Sequence, residues 1–194
     1  MQKFSIVIPL YNEDRNIENL VKEIFLSLKS YNYSNYEIIL VNDKSSDETR
    51  LVIEKLKNKY PKSIKIINNN KNLGQSFSIK AGIKKSIFNT IATIDGDGQN
   101  NPKDLPILLE HFFSNNDISL VGGIRLKRKD NYVKIISSIL ANYVRNFILK
   151  DNCTDTGCSL KVFDKHIFES FPFFDVYIGF YQHYFQDTER RHFF

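Results

Sequence analysis

The chain has 194 residues, 42% of them hydrophobic and 25% charged, with a formal net charge of +5; this is one domain's length with a core of its own, and the composition excludes disordered, collagenous and low-complexity classes. Its two cysteines, Cys153 and Cys158, exclude a disulfide framework, and a single C-x4-C pair lacks the second pair of a zinc site, so they read as reduced thiols suited to a cytosolic compartment. No apolar run approaches the roughly 18 residues of a spanning helix, and Met1-Gln2-Lys3 enters a strand-like run directly, so neither a spanning helix nor a signal peptide is expected.

Hydrophobic spacing then alternates along the chain. Residues 4–10 are a short apolar run of strand type, after which Ile17, Leu20, Val21, Ile24, Phe25 and Leu28 recur at helical spacing. Residues 37–41 predict a second strand and 47–60 a helix stopped by Pro61. Residues 64–67 follow as a strand, 75–88 as a helix after Gly74, and 90–94 as a fourth strand. Residues 102–114 predict a helix with Pro102 in its first turn, and 118–121 a fifth strand. This alternation implies right-handed βαβ units, hence an α/β fold with a mostly parallel sheet and helices on both faces. Ligands of such sheets sit at the carboxyl ends of the strands.

Those ends carry the polar residues. The loops read Pro9-Leu10-Tyr11-Asn12-Glu13, Asn42-Asp43-Lys44-Ser45-Ser46-Asp47, Asn68 through Gly74, and Asp95-Gly96-Asp97-Gly98-Gln99. One could be a helix cap, as Asp47 is placed to be; four on one edge look like a site. Asp95 and Asp97 are the sharpest feature. Alone, the triplet is as well read as a turn closing a strand. Together with the other loops it suits a hard divalent cation such as Mg2+, commonly held by one or two carboxylates plus substrate phosphates. Side chains at i and i+2 on extended backbone point the same way, and Gly96 is expected to let a bulky substrate approach. A calcium loop fails, because Asn100 and Pro106 stand where Gly and Glu are required. A dinucleotide-binding G-x-G-x-x-G after the first strand fails too, there being no glycine before Tyr60.

Five segments in order carry a resemblance: Ile8-Pro9-Leu10-Tyr11-Asn12-Glu13, Val41-Asn42-Asp43-Lys44-Ser45-Ser46-Asp47, Asn72-Leu73-Gly74, Asp95-Gly96-Asp97-Gly98-Gln99-Asn100-Asn101-Pro102, and Asp155-Thr156-Gly157-Cys158-Ser159-Leu160-Lys161. Over roughly residues 4 to 175 the chain resembles the family 2 glycosyltransferases of GT-A fold, in the dolichol-phosphate mannosyltransferase and undecaprenyl-phosphate sugar transferase branch. The resemblance implies that Pro9, Tyr11, Glu13 and Asp43 hold the base and ribose of a nucleotide-sugar, with Asn72 and Gly74 in the same donor site. It implies that Asp95, Asp97 and Gln99 ligate Mg2+ or Mn2+ with the diphosphate. Arg125 resembles the arginine that meets the acceptor phosphate, and Asp155 falls where the acceptor-side carboxylate does, so Asp97, Arg125 and Asp155 form the implied catalytic set. One departure is Asn42, where relatives often carry a second acid. The implied reaction moves a sugar from a UDP- or GDP-sugar to a polyprenyl phosphate with inversion at the anomeric carbon. A truncated, catalytically silent nucleotide-sugar-binding domain is the alternative.

Between residues 125 and 150 lie seven cations (Arg125, Lys127, Arg128, Lys129, Lys134, Arg145, Lys150) and one acid, Asp130, a local net charge of +6 against +5 for the whole chain. Tyr132, Ile136, Ile139, Leu140, Tyr143, Val144 and Phe147 recur there at helical spacing. A basic amphipathic helix reads as interfacial, and a core-facing helix with a solvated basic face is the competing reading. A nucleic-acid surface lacks a reading motif, and few aromatics are interleaved with the charges. The expected setting is cytoplasmic, peripheral at the inner face of the membrane, against anionic lipid. No oligomeric state is legible.

After Asp175 the resemblance stops. Residues 176–194 form an aromatic, polar tail without clear period. Relatives continue with a histidine-arginine-phenylalanine segment, and a permissible choice of codons for residues 176–185 encodes such a segment in another frame. The expectation is therefore a GT-A domain over 1–175 followed by an aberrant tail over 176–194, a frameshift product.

Overall fold

The computed structural model of the protein describes residues 2–115, 117–123 and 158–170. Arg125, Asp155, Cys153, the basic segment 125–150 and the boundary between 1–175 and 176–194 lie outside the described residues.

Within them the elements run β1 (Phe4–Leu10), α1 (Ile17–Ser30), β2 (Tyr36–Asn42), α2 (Thr49–Lys59), β3 (Ile64–Asn68), α3 (Gln75–Lys85), β4 (Thr90–Thr93), α4 (Asp104–Ser114), β5 (Leu120–Gly122), β6 (Lys161–Asp164) and α5 (Lys165–Ser170). The strands form one six-stranded sheet in the order β3-β2-β1-β4-β6-β5. β1 is parallel to β2 and β4, with Phe4 opposite both Tyr36 and Thr90, and β2 is parallel to β3. β6 is antiparallel to both its neighbours, Lys161 lying opposite Thr93 and Gly122. The sheet is mostly parallel, as the alternation of elements predicts.

Residue spacing explains the layers. Along β1 and β2, Phe4, Ile6, Ile8, Ile38 and Leu40 turn to one face and pack with Ile17, Val21 and Ile24 of α1, Ile53 of α2 and Leu105 and Leu109 of α4. The alternate residues Val7, Ile39 and Val41 turn to the other face and pack with Ile79 and Ile83 of α3, where Ile167 and Phe168 of α5 also lie. Strands sandwiched in this way must be apolar at nearly every position. Each fully buried Val, Leu or Ile contributes about 1.5–3 kcal/mol, so β1 and β2 anchor the domain. No helix among the described residues is long and apolar enough to cross a membrane.

Several ends differ from expectation for local reasons. β4 stops at Thr93, so Asp95 lies beyond the strand and Asp97 on the turn that follows it. α3 stops at Lys85 because Ser86 is extended, with its hydroxyl donating 2.6 Å to the Ile83 carbonyl. α2 begins at Thr49, and Asp47 caps it from just outside, Oδ1 accepting the Thr49 N–H at 3.0 Å. Pro102 precedes α4; Pro106 occupies the first turn instead, where its missing N–H costs no helical bond. β6 and α5 are elements the spacing missed; β6 enters the sheet. Its four residues include Lys161, which a pattern reads as a surface position and the structure buries fully.

Candidate active site

The strand-end loops are hydrogen-bonded into one rim. Asn12, in the left-handed region at φ 59°, donates its N–H to Ser45 Oγ at 3.0 Å and accepts the Ser46 N–H on Oδ1 at 2.8 Å. The Glu13 N–H donates to Thr49 Oγ1 at 2.8 Å, and the Asp14 N–H to Asp47 Oδ2 at 3.2 Å. Asn42, the departure from the family pattern, donates its amide to Asn68 Oδ1 at 3.0 Å, joining the ends of β2 and β3. The carboxylate of Asp43 then accepts from Asn69 Nδ2 at 2.7 Å, from the Leu73 N–H at 3.0 and 3.2 Å and from the Gly74 N–H at 2.7 Å. On the β4 side, Thr93 Oγ1 donates to the Ser159 carbonyl at 2.7 Å and Asn100 Nδ2 to Ser159 Oγ at 2.6 Å.

Inside this rim is a cleft of about 270 Å³. Pro9, Tyr11, Glu13 and Asp43 line it from β1 and β2, and Asn72, Gly74, Asp95 and Asp97 from the later loops, so eight residues expected on one site do share it. Gln99 does not join the lining; its backbone N–H donates to Asp97 Oδ1 at 3.0 Å and its side chain is exposed. Arg125 and Asp155 are outside the described residues. Gln75 and Ser78 also line the cleft and were not expected there. Gln75 donates its amide to Asp95 Oδ1 from the first turn of α3. The available signal was its place immediately after Asn72-Leu73-Gly74, at the start of a helix that faces the same edge.

Gly96 lines the cleft, and its missing side chain also leaves room for β1. A Cβ there would lie 2.4 Å from Leu10 Cδ2 and 3.1 Å from the Pro9 carbonyl oxygen. The end of β1 comes close to Gly96, so the segment from Asp95 to Asp97 is seated against that strand.

Burial raises the pKa of Asp95 above the ordinary aspartate range, and the Asp97 charge adds to this, while a hydrogen bond from Ser159, the Lys161 ammonium and the Gln75 amide oppose it. Glu13 is likewise raised, first by burial; Asn16 opposes the shift, and the charges of Asp97, Asp47 and Asp14 reinforce it. Asp97 thus repels both Asp95 and Glu13, and all three line one cleft. That donor set fits a hard cation. Among the described residues no three acidic, histidine or cysteine side chains converge into a complete cage, and a cation that keeps water and phosphate oxygens needs only one or two carboxylates.

The sign of the pH dependence follows. A proton competes with a cation for Asp95, and a raised pKa starts that competition above the usual aspartate value of about 3.9. If Asp95 holds the cation, the rise in melting temperature produced by Mn2+ is expected to be full near pH 7.5 and to shrink as pH falls, beginning above the pH at which an ordinary aspartate protonates. Thermal melts with and without Mn2+ across pH read this directly. A gain that holds constant down to pH 4 sinks the assignment of Asp95.

Comparison with known proteins shows the family and the fold. The chain is 34% identical over 162 residues to dodecaprenyl-phosphate galacturonate synthase of Rhizobium johnstonii, a match covering 83% of this chain and 47% of that protein. It is 29% identical over 167 residues to undecaprenyl-phosphate 4-deoxy-4-formamido-L-arabinose transferase of Pectobacterium carotovorum, covering 86% and 50%. The chain thus spans about half the length of these curated relatives. In fold it is similar to glucosyl-3-phosphoglycerate synthase from Mycobacterium tuberculosis, solved with Mn2+, UDP and glucosyl-3-phosphoglycerate, at a TM-score of 0.72 and 16% identity over 96% of this chain and 66% of that one. This places the sheet among GT-A folds. The profile described as glycosyl transferase family 2 matches residues 5–171, and the chain belongs to that family.

Proposed function

We propose that this chain is the donor-binding part of an inverting, metal-dependent glycosyltransferase that moves a sugar from a UDP- or GDP-sugar to a polyprenyl phosphate. The observation that carries the reading is the convergence of Asp95 and Asp97 with Pro9, Tyr11 and Glu13 on a single cleft. Relatives named as polyprenyl-phosphate sugar transferases support the acceptor class. Pro9, Tyr11 and Glu13 meet the base and ribose, the half-exposed ring of Tyr11 offering an apolar surface. Asp95 and Asp97 hold Mg2+ or Mn2+, with Gln99 beside them. When bound, the cation offsets the charge of the departing diphosphate. Arg125 grips the acceptor phosphate and Asp155 orients it. A phosphate monoester has a second pKa of about 6, so the acceptor oxygen is already anionic near neutral pH and needs positioning more than a strong base.

Calorimetry with UDP, GDP and their sugars, with and without Mn2+, tests donor binding; radiolabel transfer to a short polyprenyl phosphate tests turnover. Binding that depends on Mn2+ is the expected result. Failure of every nucleotide to bind defeats the donor-site reading, and binding without transfer marks a nucleotide-sugar-binding domain that lacks turnover.

The basic segment 125–150 is proposed to hold the protein at an anionic membrane surface on the cytoplasmic side. At about 1 kcal/mol per cation near such a surface, its cations give reversible association. Binding to anionic liposomes is expected to be weak and to disappear at high salt, as read by co-sedimentation across a salt series. Equal binding to neutral liposomes, or no salt effect, contradicts it.

A further inference from the structure

Ser159 is outside the lining of the cleft but hydrogen-bonds Asp95, which is in it. The β4/β6 pairing sets Lys161 opposite Thr93, and the same register continued two residues beyond the strands brings Ser159 opposite Asp95. Ser159 is 4% exposed, and both of its oxygens are engaged. Its carbonyl accepts from Thr93 Oγ1 at 2.7 Å, and its Oγ accepts from Asn100 Nδ2 at 2.6 Å. The Asn100 amide oxygen takes the Cys158 thiol at 3.6 Å, which fixes the sense of that amide. A hydroxyl has one proton to donate. With Asn100 already donating to the Ser159 oxygen, that proton goes to the Asp95 carboxylate. Gln75 donates to Asp95 Oδ1 from α3, so the carboxylate is held by two donors from different elements.

We infer that Ser159 is a positioning residue for the metal site, its hydroxyl holding the Asp95 carboxylate in the orientation a cation needs. The inference rests on the donor-site reading proposed above. A carboxylate that turns freely must be ordered when the cation arrives, and this lowers affinity. One held by a hydroxyl and an amide is already placed. Removing an outer hydrogen-bond partner of a metal ligand typically weakens metal binding about 10–100-fold. The lower end applies here, because Gln75 keeps its hold on Oδ1.

The test titrates Mn2+ onto the full chain at fixed UDP or GDP, with bound Mn2+ read by electron paramagnetic resonance and metal-free melting temperatures recorded alongside. Ser159→Ala is expected to weaken Mn2+ binding about tenfold. Asn100→Ala breaks the same Asn100–Ser159 bond but leaves the hydroxyl facing Asp95. Its melting temperature is expected to fall as in Ser159→Ala, and its Mn2+ affinity to fall less. Ser159→Cys nearly keeps the volume and offers only a weak S–H donor; its loss of Mn2+ affinity is expected to match that of Ser159→Ala, and it decides the matter should the alanine variant not fold. Wild-type Mn2+ affinity in Ser159→Ala, whatever its melting temperature, overturns the inference and leaves the donor site standing. An equal loss of Mn2+ affinity in Asn100→Ala overturns it too, since the effect then belongs to the packing of the loop. A wild-type chain with no Mn2+-dependent nucleotide binding removes the donor-site reading and the inference with it.

Discussion

Asp97→Asn is expected to lower Mn2+-dependent affinity for UDP or GDP by about 100-fold or more while shifting the melting temperature by no more than about 2 °C. Two unit charges 4 Å apart interact by about 4 kcal/mol at an effective dielectric of 20, and water replacing the lost ligand recovers only part of that. Stability has little to lose. Asp97 sits at the edge of the sheet on a turn, and its Oδ1 accepts the Gln99 N–H at 3.0 Å, a bond that asparagine keeps. Neutralising it also relieves the repulsion it exerts on Asp95 and Glu13. Calorimetric titration with and without Mn2+ checks the result. Unchanged Mn2+ dependence removes Asp97 from the metal site.

The largest expected effect on stability lies at the other end of the strands. Glu37 is 3% exposed and stands opposite Ser5 in the β1/β2 register. Its Oε1 accepts from Ser5 Oγ and from the Ile87 N–H, each at 2.7 Å, and its Oε2 meets Lys65 Nζ at 2.7 Å. One carboxylate thus ties β1, β2, β3 and the turn before β4. Glu37→Ala strands a buried hydroxyl and a backbone N–H, at a cost of about 3 kcal/mol. For a chain of this size that is a fall of about 6–12 °C in melting temperature. Lys65 is half-exposed and can turn to water, so its ion pair is a small part of the effect. Glu37→Gln, which keeps an acceptor for Ser5 and Ile87, is expected to lose about half as much. Donor affinity measured well below the transition should not change in either variant. A Glu37→Ala protein melting within 1 °C of wild type contradicts the account.

The sequence by itself determined the alternation of strands and helices, because β1 and β2 are apolar at period two on both faces while α1 is apolar at period 3.6 on one. It also determined which loops meet, since parallel strands joined by right-handed crossovers bring their carboxyl ends to one edge. Tyr11, Asp43, Gly74 and Asp95 lie in those loops, and the family resemblance of the same segments implies that they belong to one site. Tertiary structure decided the rest, because it depends on partners far apart in the chain. β6 enters the sheet between β4 and β5 as four residues too few to show a period, and Lys161 is buried by the strands on either side of it. A Cβ at Gly96 would crowd Leu10 and Pro9, some 86 positions away, and no local pattern around it records that contact. Asp43 reads as a ligand residue in its own loop; only the fold delivers the amides of Asn69, Leu73 and Gly74 to its oxygens. Local spacing sets which way a side chain faces, but what meets it there is set by packing.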